Sequence, residues 1–231
     1  MLSEKEQPVG EITVRPMEKH EWRAVVDVLA RALRDNPTSV GMFGPDEDRR
    51  LRSLRALYGA LLDDAPLPPL VACSDRRILG AAAVFPPGSC LFRRAQARVR
   101  RLRLPGRDIH VESPWLPWGH LPGLLRVGPA ALGRAAVMAR VGEAHDPEDR
   151  HWHVELVGVE PALQGRGIGR MLMEAALRQA DAADEPAYLE TDTPENVEFY
   201  RRRGFEVTGQ EEPLGVRTWY MQRAPRWIPA T

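Results

Sequence analysis

The fold of this chain is decided by residues 156–169, which read Leu156-Val157-Gly158-Val159-Glu160-Pro161-Ala162-Leu163-Gln164-Gly165-Arg166-Gly167-Ile168-Gly169. The apolar start of this stretch continues a run from His151 and predicts a strand that ends at Val159. After the last glycine, apolar residues recur at helical spacing, as in Met171, Leu172 and Ala175. The stretch therefore predicts a strand, a glycine-rich turn and a helix in direct succession.

The glycine-rich turn favours an anion site. Glycines let backbone N–H groups approach a ligand closely, and the positive end of the following helix adds to their field. Such a turn suits a pyrophosphate, to which Arg166 or Arg170 could add charge. It is not a P-loop, because no Lys-Ser/Thr pair follows, and Arg170 stands where a dinucleotide fingerprint needs its last glycine. By itself, such a turn could also be a tight connection.

The elements on either side of this stretch predict a mixed α/β fold. Downstream, the patterns predict a helix over 167–183, a strand over 187–191, a helix over 194–203 and strands over 205–210 and 217–223. Upstream they predict a strand over 11–15, helices over 22–33 and 46–62, and a hairpin of strands 70–73 and 78–85. Together these elements predict a central mixed β-sheet of about seven strands flanked by helices.

The domain organisation follows from the same pass. No long flexible linker divides the chain, so we expect a single domain over 11–223, with a flexible tail at 1–10 and a C-terminal tail at 224–231. The pattern is least regular between 86 and 147, where an insertion is expected. Within it, five arginines from Arg93 to Arg101 fall on one side of a possible helix, and Trp115 and Trp118 are candidates to cover a pocket.

Composition excludes several classes of function. Of 231 residues, 32 are basic and 32 acidic, so the formal net charge is zero and no overall field attracts nucleic acid or an anionic membrane. Apolar runs are too short to span a membrane, and the N-terminus has no apolar core of a secretory signal, so we expect a cytoplasmic protein. Cys73 and Cys90 are expected to be reduced thiols.

A second block of sequence supports a family resemblance. Residues 156–169, followed by Asn196-Val197-Glu198-Phe199-Tyr200 and Gly204-Phe205, resemble the motifs of the GNAT acetyltransferase superfamily. Within that superfamily, residues 152–223 are most similar to the branch of puromycin N-acetyltransferase and related antibiotic-acetylating enzymes. The resemblance implies the GNAT fold, with a splayed strand at the acetyl-CoA site.

The resemblance also implies a co-substrate and a set of site residues. The co-substrate is acetyl-CoA, and the splayed strand positions that grip its pantetheine arm correspond to Val157, Gly158 and Val159. Its phosphates are expected at the turn and helix start, formed by Gln164, Gly165, Arg166, Gly167, Ile168, Gly169 and Arg170. Asn196 is assigned to the same site, and Tyr200, one helical turn later, is the implied acid that protonates the departing thiolate.

The general base is less defined by the sequence. His151, His153 and Glu155 are two residues apart on one strand, so their side chains should share a face. The order of candidates is Glu155, then His153, then no protein base at all. The same three residues could suggest a metal, but spacing on a single strand rarely builds a closed site, so no metal is expected.

The function expected from these features is acetyl-CoA-dependent N-acetylation. A neutral amine attacks the thioester directly, so no enzymatic nucleophile is needed. The expected acceptor is a primary amine of a small molecule, plausibly an antibiotic or other natural product, acted on by a monomer or homodimer. The alternatives are a non-catalytic coenzyme A sensor and an acetyltransferase of protein N-termini or lysines.

Overall fold

The computed structural model describes residues 10–89, 100–104, 107–111 and 127–226. Its nine described strands are β1 (Thr13–Pro16), β2 (Leu70–Ser74), β3 (Arg77–Phe85), β4 (Arg100–Leu104), β5 (Arg107–Val111), β6 (Trp152–Val159), β7 (Ala187–Thr191), β8 (Glu206–Glu211) and β9 (Thr218–Arg223). Its six described α-helices are α1 (Trp22–Ala32), α2 (Pro37–Phe43), α3 (Glu47–Asp63), α4 (Pro129–His145), α5 (Ile168–Ala182) and α6 (Pro194–Arg201).

Seven strands form one mixed sheet in the order β1-β2-β3-β6-β7-β9-β8. Strands β6 and β7 run parallel, while every other neighbouring pair is antiparallel. A parallel pair requires a crossover, and α5 supplies it between β6 and β7. The predicted mixed α/β fold with about seven strands and flanking helices is confirmed.

The sheet separates two apolar cores. On one face, α5 contributes Leu172, Met173 and Ala176, which pack with Phe205 and residues of the central strands. On the other face, helices α1 and α3 contribute residues such as Leu29 and Leu54. The helical spacing of these residues in the sequence is therefore the spacing of faces that are buried against the sheet.

Helix α2 is an element that the sequence reading missed. We expected Asn36-Pro37 to end the first helix and the next one to begin near Asp46. Pro37 instead occupies the first turn of α2, where its missing N–H costs nothing because that N–H has no helical partner. The short helix then buries Met42 and Phe43.

The segment expected to be an insertion is partly described. Residues 100–104 form β4, which pairs with β5 in a separate two-stranded antiparallel sheet, so the expectation of a helix is wrong at residues 100–102. The rest of that expected helix, together with Trp115, Trp118 and Cys90, lies outside the described residues. Within the described ranges, no helix combines the length and the apolar character needed to cross a membrane.

Candidate active site

A gap opens in the sheet beside β6. Strands β6 and β7 pair at two positions, Trp152 with Ala187 and His153 with Tyr188, although β6 continues to Val159. Beyond His153 the backbone groups of β6 that point away from β3 therefore face the gap. The expected splayed strand is present in this form, and Val157, Gly158 and Val159 all lie beside the gap.

A β-bulge accompanies this divergence. The register between β3 and β6 shifts, since Ala83 pairs with Leu156 and Val84 pairs with Val154, and Glu155 has no partner residue on β3. A bulge locally increases the twist of a strand and redirects its side chains. This irregularity falls at Glu155, three residues before Gly158.

Gly158 is constrained by packing as well as by its place at the gap. A Cβ atom on Gly158 would lie 2.9 Å from Cβ of Ala32 and 3.0 Å from Cδ2 of Leu29. Helix α1 therefore crosses β6 at a distance that a larger residue would prevent. This requirement on Gly158 was not part of the sequence reading.

The glycine-rich turn has the backbone that an anion site needs. Gly165 and Gly167 adopt φ values of +79° and +83°, and Gly167 caps the N-terminus of α5. A Cβ added to either residue would meet nothing within 4 Å, so the space in front of the turn is open. The first N–H groups of α5 have no intrahelical acceptor and are available to a pyrophosphate.

Side chains hold this turn against the sheet. The Gln164 amide donates to the carbonyl of Val159 at 3.2 Å. Glu160 accepts hydrogen bonds from Arg31 of α1, the shortest at 2.8 Å. The Gln164 side chain therefore anchors the loop, while Arg166 and Arg170 are exposed beside the expected phosphate position.

A cavity lined by three arginines and three glutamates lies next to the start of α5. It has a volume of about 380 Å³, and its lining includes Arg170, Arg202, Arg203 and Phe199. The Arg203 guanidinium lies 3.5 Å from the centre of the Phe199 ring. The sequence reading missed this grouping, because Arg170 lies in α5 and Arg203 follows the end of α6, so the two meet only in the fold.

Glu155 and His153 occupy the same buried cluster. Nε2 of His153 lies 2.9 Å from Oε2 of Glu190 and 3.6 Å from Oε2 of Glu155. His153 is 1% exposed and the Glu155 side chain 11%. The sequence placed Glu155 and His153 on one face, and the structure adds Glu190 from the neighbouring strand β7.

Burial brings the pKa of Glu155 close to neutral pH. The pKa of Glu155 is raised to about 7, mainly because the side chain is removed from water; the nearby His153 opposes this rise, and the charges of Glu190 and Asp146 add to it. A carboxyl group with a pKa close to neutrality can both accept and release a proton at physiological pH.

Asp146 joins the two histidines from the end of α4. Its Oδ1 lies 3.2 Å from Nε2 of His151 and 3.9 Å from Nδ1 of His153. Nδ1 of His151 is 2.8 Å from the carbonyl of Asp149. Asp146, His151 and His153 bring ligand atoms within 4.8 Å of one another, a set that could hold a metal ion. The sequence reading missed Asp146, and the absence of a metal stays a prediction.

Helix α6 places Tyr200 and Asn196. The Thr193 hydroxyl accepts from the backbone N–H of Asn196 at 3.4 Å, Pro194 is in the first turn, and Gly204 beyond the helix has φ +88°. Burial raises the pKa of Tyr200 to about 12, so this hydroxyl keeps its proton at physiological pH.

One cavity brings the candidate residues together. It measures about 700 Å³ and reaches Glu155, Val157, Asn196 and Tyr200. Its other walls come from α2, α3 and α4, with β9 contributing Tyr220. His153 lies behind Glu155, outside the lining, and the glycine turn lies outside it as well. The cavity thus joins the gap of the sheet to a space large enough for a small molecule.

Comparison with known proteins agrees with this architecture. Residues 130–207, about a third of the chain, match the family model described as acetyltransferase (GNAT) domain. The peptidyl-lysine N-acetyltransferase YjaB of Salmonella typhimurium is 35% identical over 60 residues, which cover 26% of this chain and 40% of that protein. The N-alpha-acetyltransferase RimI of Mycobacterium tuberculosis is 34% identical over 93 residues, or 40% of this chain and 56% of that protein.

A solved structure extends the agreement to the whole fold. A Corynebacterium glutamicum protein described as histone acetyltransferase HPA2 and related acetyltransferase superposes with a TM-score of 0.62 at 20% identity, covering 95% of this chain and 99% of that one. The sheet with its gap and the glycine turn define a protein with the GNAT fold. The family match over residues 130–207 agrees with that fold, and this chain spans about half or less of the length of the two relatives.

Proposed function

We propose that this protein transfers an acetyl group from acetyl-CoA to a primary amine of a small molecule. The observation that carries the proposal is the cavity of about 700 Å³ that contains Glu155 and Tyr200 at the gap in the sheet. In this cavity the candidate base, Glu155, and the candidate acid, Tyr200, lie beside strand β6, which is expected to hold the thioester.

The proposed reaction proceeds in a ternary complex. Glu155 accepts a proton from the acceptor ammonium, and the neutral nitrogen attacks the thioester carbonyl. Backbone N–H groups of Val157, Gly158 and Val159 that face the gap stabilise the oxyanion and position the pantetheine arm. As the C–S bond breaks, Tyr200, which stays protonated at physiological pH, donates its proton to the thiolate. The nitrogen of the tetrahedral intermediate loses its second proton, which returns to Tyr200 through water, and Glu155 releases the first proton to solvent.

The remaining parts of the site bind the nucleotide end of acetyl-CoA. We assign the pyrophosphate to residues 164–169, where two glycines with positive φ precede the N-terminus of α5. Arg166 and Arg170 contribute charge, and Asn196 borders the cavity between the two substrates. His153 ranks second as candidate base, because it contacts Glu155 but does not itself line the cavity.

The wider organisation is part of the same proposal. A single domain over 11–223 carries an insertion at 86–147, whose helix α4 forms a wall of the cavity. An antibiotic or another natural product is the acceptor we favour, since the cavity is walled by helices on the side away from the sheet. We place the reaction in the cytoplasm, in a monomer or homodimer.

Protein acetylation is a second candidate. It is favoured by the names of the two curated relatives, which are a peptidyl-lysine and an N-alpha-acetyltransferase. A coenzyme A sensor is a third, in which Tyr200 and Glu155 would have no chemical task.

One experiment separates the three. Thiol release from acetyl-CoA is measured with a library of amine-bearing small molecules and with lysine and N-terminal peptides, while calorimetry measures the binding of coenzyme A. Turnover with small amines supports the proposal, and turnover with peptides alone supports protein acetylation. Binding of coenzyme A without turnover on either set identifies a sensor.

A further inference from the structure

The cavity of about 700 Å³, here called the acceptor cavity, is acidic where the sheet lines it and largely apolar where the helices line it. The helical walls are largely apolar and include Leu33, Leu57, Leu61 and Met138. The sheet end carries three carboxylates, those of Glu155, Glu190 and Asp192. A ligand that fills this space must satisfy negative charge at one end and offer an apolar surface at the other.

The carboxylates at the sheet end have unused acceptor capacity. Oε2 of Glu155 and Oε1 of Glu190 are buried and receive no hydrogen bond from the described residues. Both carboxylates lie against the same nitrogen of His153, at 3.6 Å and 2.9 Å. Buried acceptors without donors are costly, and a primary ammonium group supplies three N–H donors and a positive charge.

Among the described residues, the helical walls place one acidic side chain in the lining, together with one basic side chain. Helix α4 adds Arg140 and Glu143 to the lining, one charge of each sign, so these two residues give the helical side no net charge. A second ammonium on the ligand would lie beside Leu57, Leu61 and Met138, and among the described helical residues of the lining the single carboxylate, that of Glu143, is balanced by Arg140. Burying an unpaired charge is strongly unfavourable.

We propose that the acceptor is a primary monoamine with an extended apolar body, aliphatic or aromatic, and a single cationic head group. This inference rests on the proposed acetyl transfer, since it names the substrate class of the same site. The ammonium binds at Glu155 and Glu190, gives one proton to Glu155, and is acetylated as a neutral amine. The apolar body lies along α3 and α4.

A matched pair of probes tests the charge requirement. Hexylamine and 1,6-diaminohexane have the same chain length and differ by one far ammonium group. We expect kcat/KM for hexylamine to exceed that for 1,6-diaminohexane by roughly 100-fold or more, because the second charge enters an apolar wall. Across butylamine, hexylamine and octylamine, kcat/KM should rise by roughly threefold to fourfold per methylene until the cavity is filled.

A substitution in the apolar helical wall tests whether the apolar body of the ligand lies along α3 and α4. Leu57→Glu places a carboxylate beside the apolar body and should shift the preference toward 1,6-diaminohexane by at least roughly tenfold. The matched control is Val137→Glu, an added charge on an exposed position of α4 outside the cavity, which should leave the preference unchanged. Melting temperatures of both variants confirm that they fold.

The outcomes separate this inference from the proposed function. Equal or better turnover of the diamine, or no dependence on chain length, overturns the apolar monoamine and leaves the proposed function standing, whereas turnover of peptides alone overturns both. If no amine is acetylated, calorimetry with octylamine and 1,6-diaminohexane in the presence of coenzyme A decides. If octylamine binds more tightly than 1,6-diaminohexane, the proposed amine site stands and the proposed acetyl transfer is rejected. If octylamine does not bind, both proposals are overturned.

Discussion

Replacement of Glu155 by Gln is the sharpest test of the proposed chemistry. The variant keeps the size of the side chain and removes its ability to accept a proton. A general base contributes roughly 10²-fold to 10⁴-fold to the rate, so kcat should fall by that factor. The affinity for acetyl-CoA should change little, because Glu155 lies outside the glycine turn.

The pH dependence gives the test a signature that lost packing cannot produce. Burial raises the pKa of Glu155 to about 7, so the reactive carboxylate should increase tenfold per pH unit below 7 and level off above it. The kcat/KM of the parent should follow this curve, and the Gln variant should lack the inflection near 7. Ionisation of the acceptor adds an inflection at higher pH that both proteins share.

The same shift predicts an effect on stability. The pKa of Glu155 is raised from an unfolded value of 4.5 to about 7 in the folded protein. The folded state therefore binds the proton more tightly, and this contribution to stability is present below pH 4.5 and lost as the pH rises through 7. The loss amounts to about 3 kcal/mol in the free energy of unfolding. Glu155→Gln should remove this loss of stability at high pH, so the variant should be more stable than the parent at pH 8.

The assay combines initial rates of thiol release between pH 5.5 and 9 with denaturant unfolding at pH 5 and 8. Glu206→Gln is the control, because Glu206 is an exposed carboxylate of β8 away from the cavity. The reasoning is refuted if Glu155→Gln keeps a rate within threefold of the parent together with the same inflection. In that case His153 or water serves as the base.

Three further substitutions test other parts of the site. Tyr200→Phe should lower kcat by roughly 10²-fold to 10⁴-fold at nearly unchanged affinity for acetyl-CoA; a single-turnover rate within threefold of the parent would make Tyr200 a packing residue. Gly167→Asp adds negative charge at the proposed anion site and forces a side chain onto φ +83°, so calorimetry should detect no coenzyme A binding in the folded variant; unchanged affinity would remove the pyrophosphate assignment. Gly158→Ala should lower the free energy of unfolding by about 1–3 kcal/mol, because the added Cβ would lie 2.9 Å from Cβ of Ala32. The control is Gly133→Ala, whose added Cβ meets nothing within 4 Å and should not destabilise the protein. Equal effects of the two substitutions would refute the close approach of α1 to Gly158.

Local interactions explain why much of the fold was predictable. Periodicity located α1, α3, α5 and α6, since the faces that it marks are those buried against the sheet. The glycine turn could be recognised in the sequence because positive φ at Gly165 and Gly167 favours glycine at those positions. Boundaries moved by at most two residues, because end turns depend on neighbouring elements.

Predictions failed where a local signal had two meanings. A proline marks the end of one helix and is equally suited to the first turn of the next, which is why α2 was missed at Pro37. Arginines and apolar residues over 93–102 match a helical face, yet residues 100–104 pair as a strand with β5. Cross-strand pairing depends on a partner that the local pattern does not contain.

The sequence by itself determined the chemistry that is available and its order along the chain. It identified a strand, a glycine turn and a helix for an anion, a Tyr four residues after an Asn on one helix, and a Glu and two His on one strand. These inferences need only local geometry, because residues two apart on a strand or four apart on a helix share a face.

Tertiary structure alone decided which of these groups meet and in what electrostatic surroundings. Glu190 and Asp146 reach His153 from β7 and from the end of α4, and the burial that raises the pKa of Glu155 comes from packing across the whole cavity. The apolar wall formed by α3 and α4 is likewise assembled from segments far apart in the chain. Desolvation and charge act through space, so their strength is set by the fold and not by spacing in the sequence.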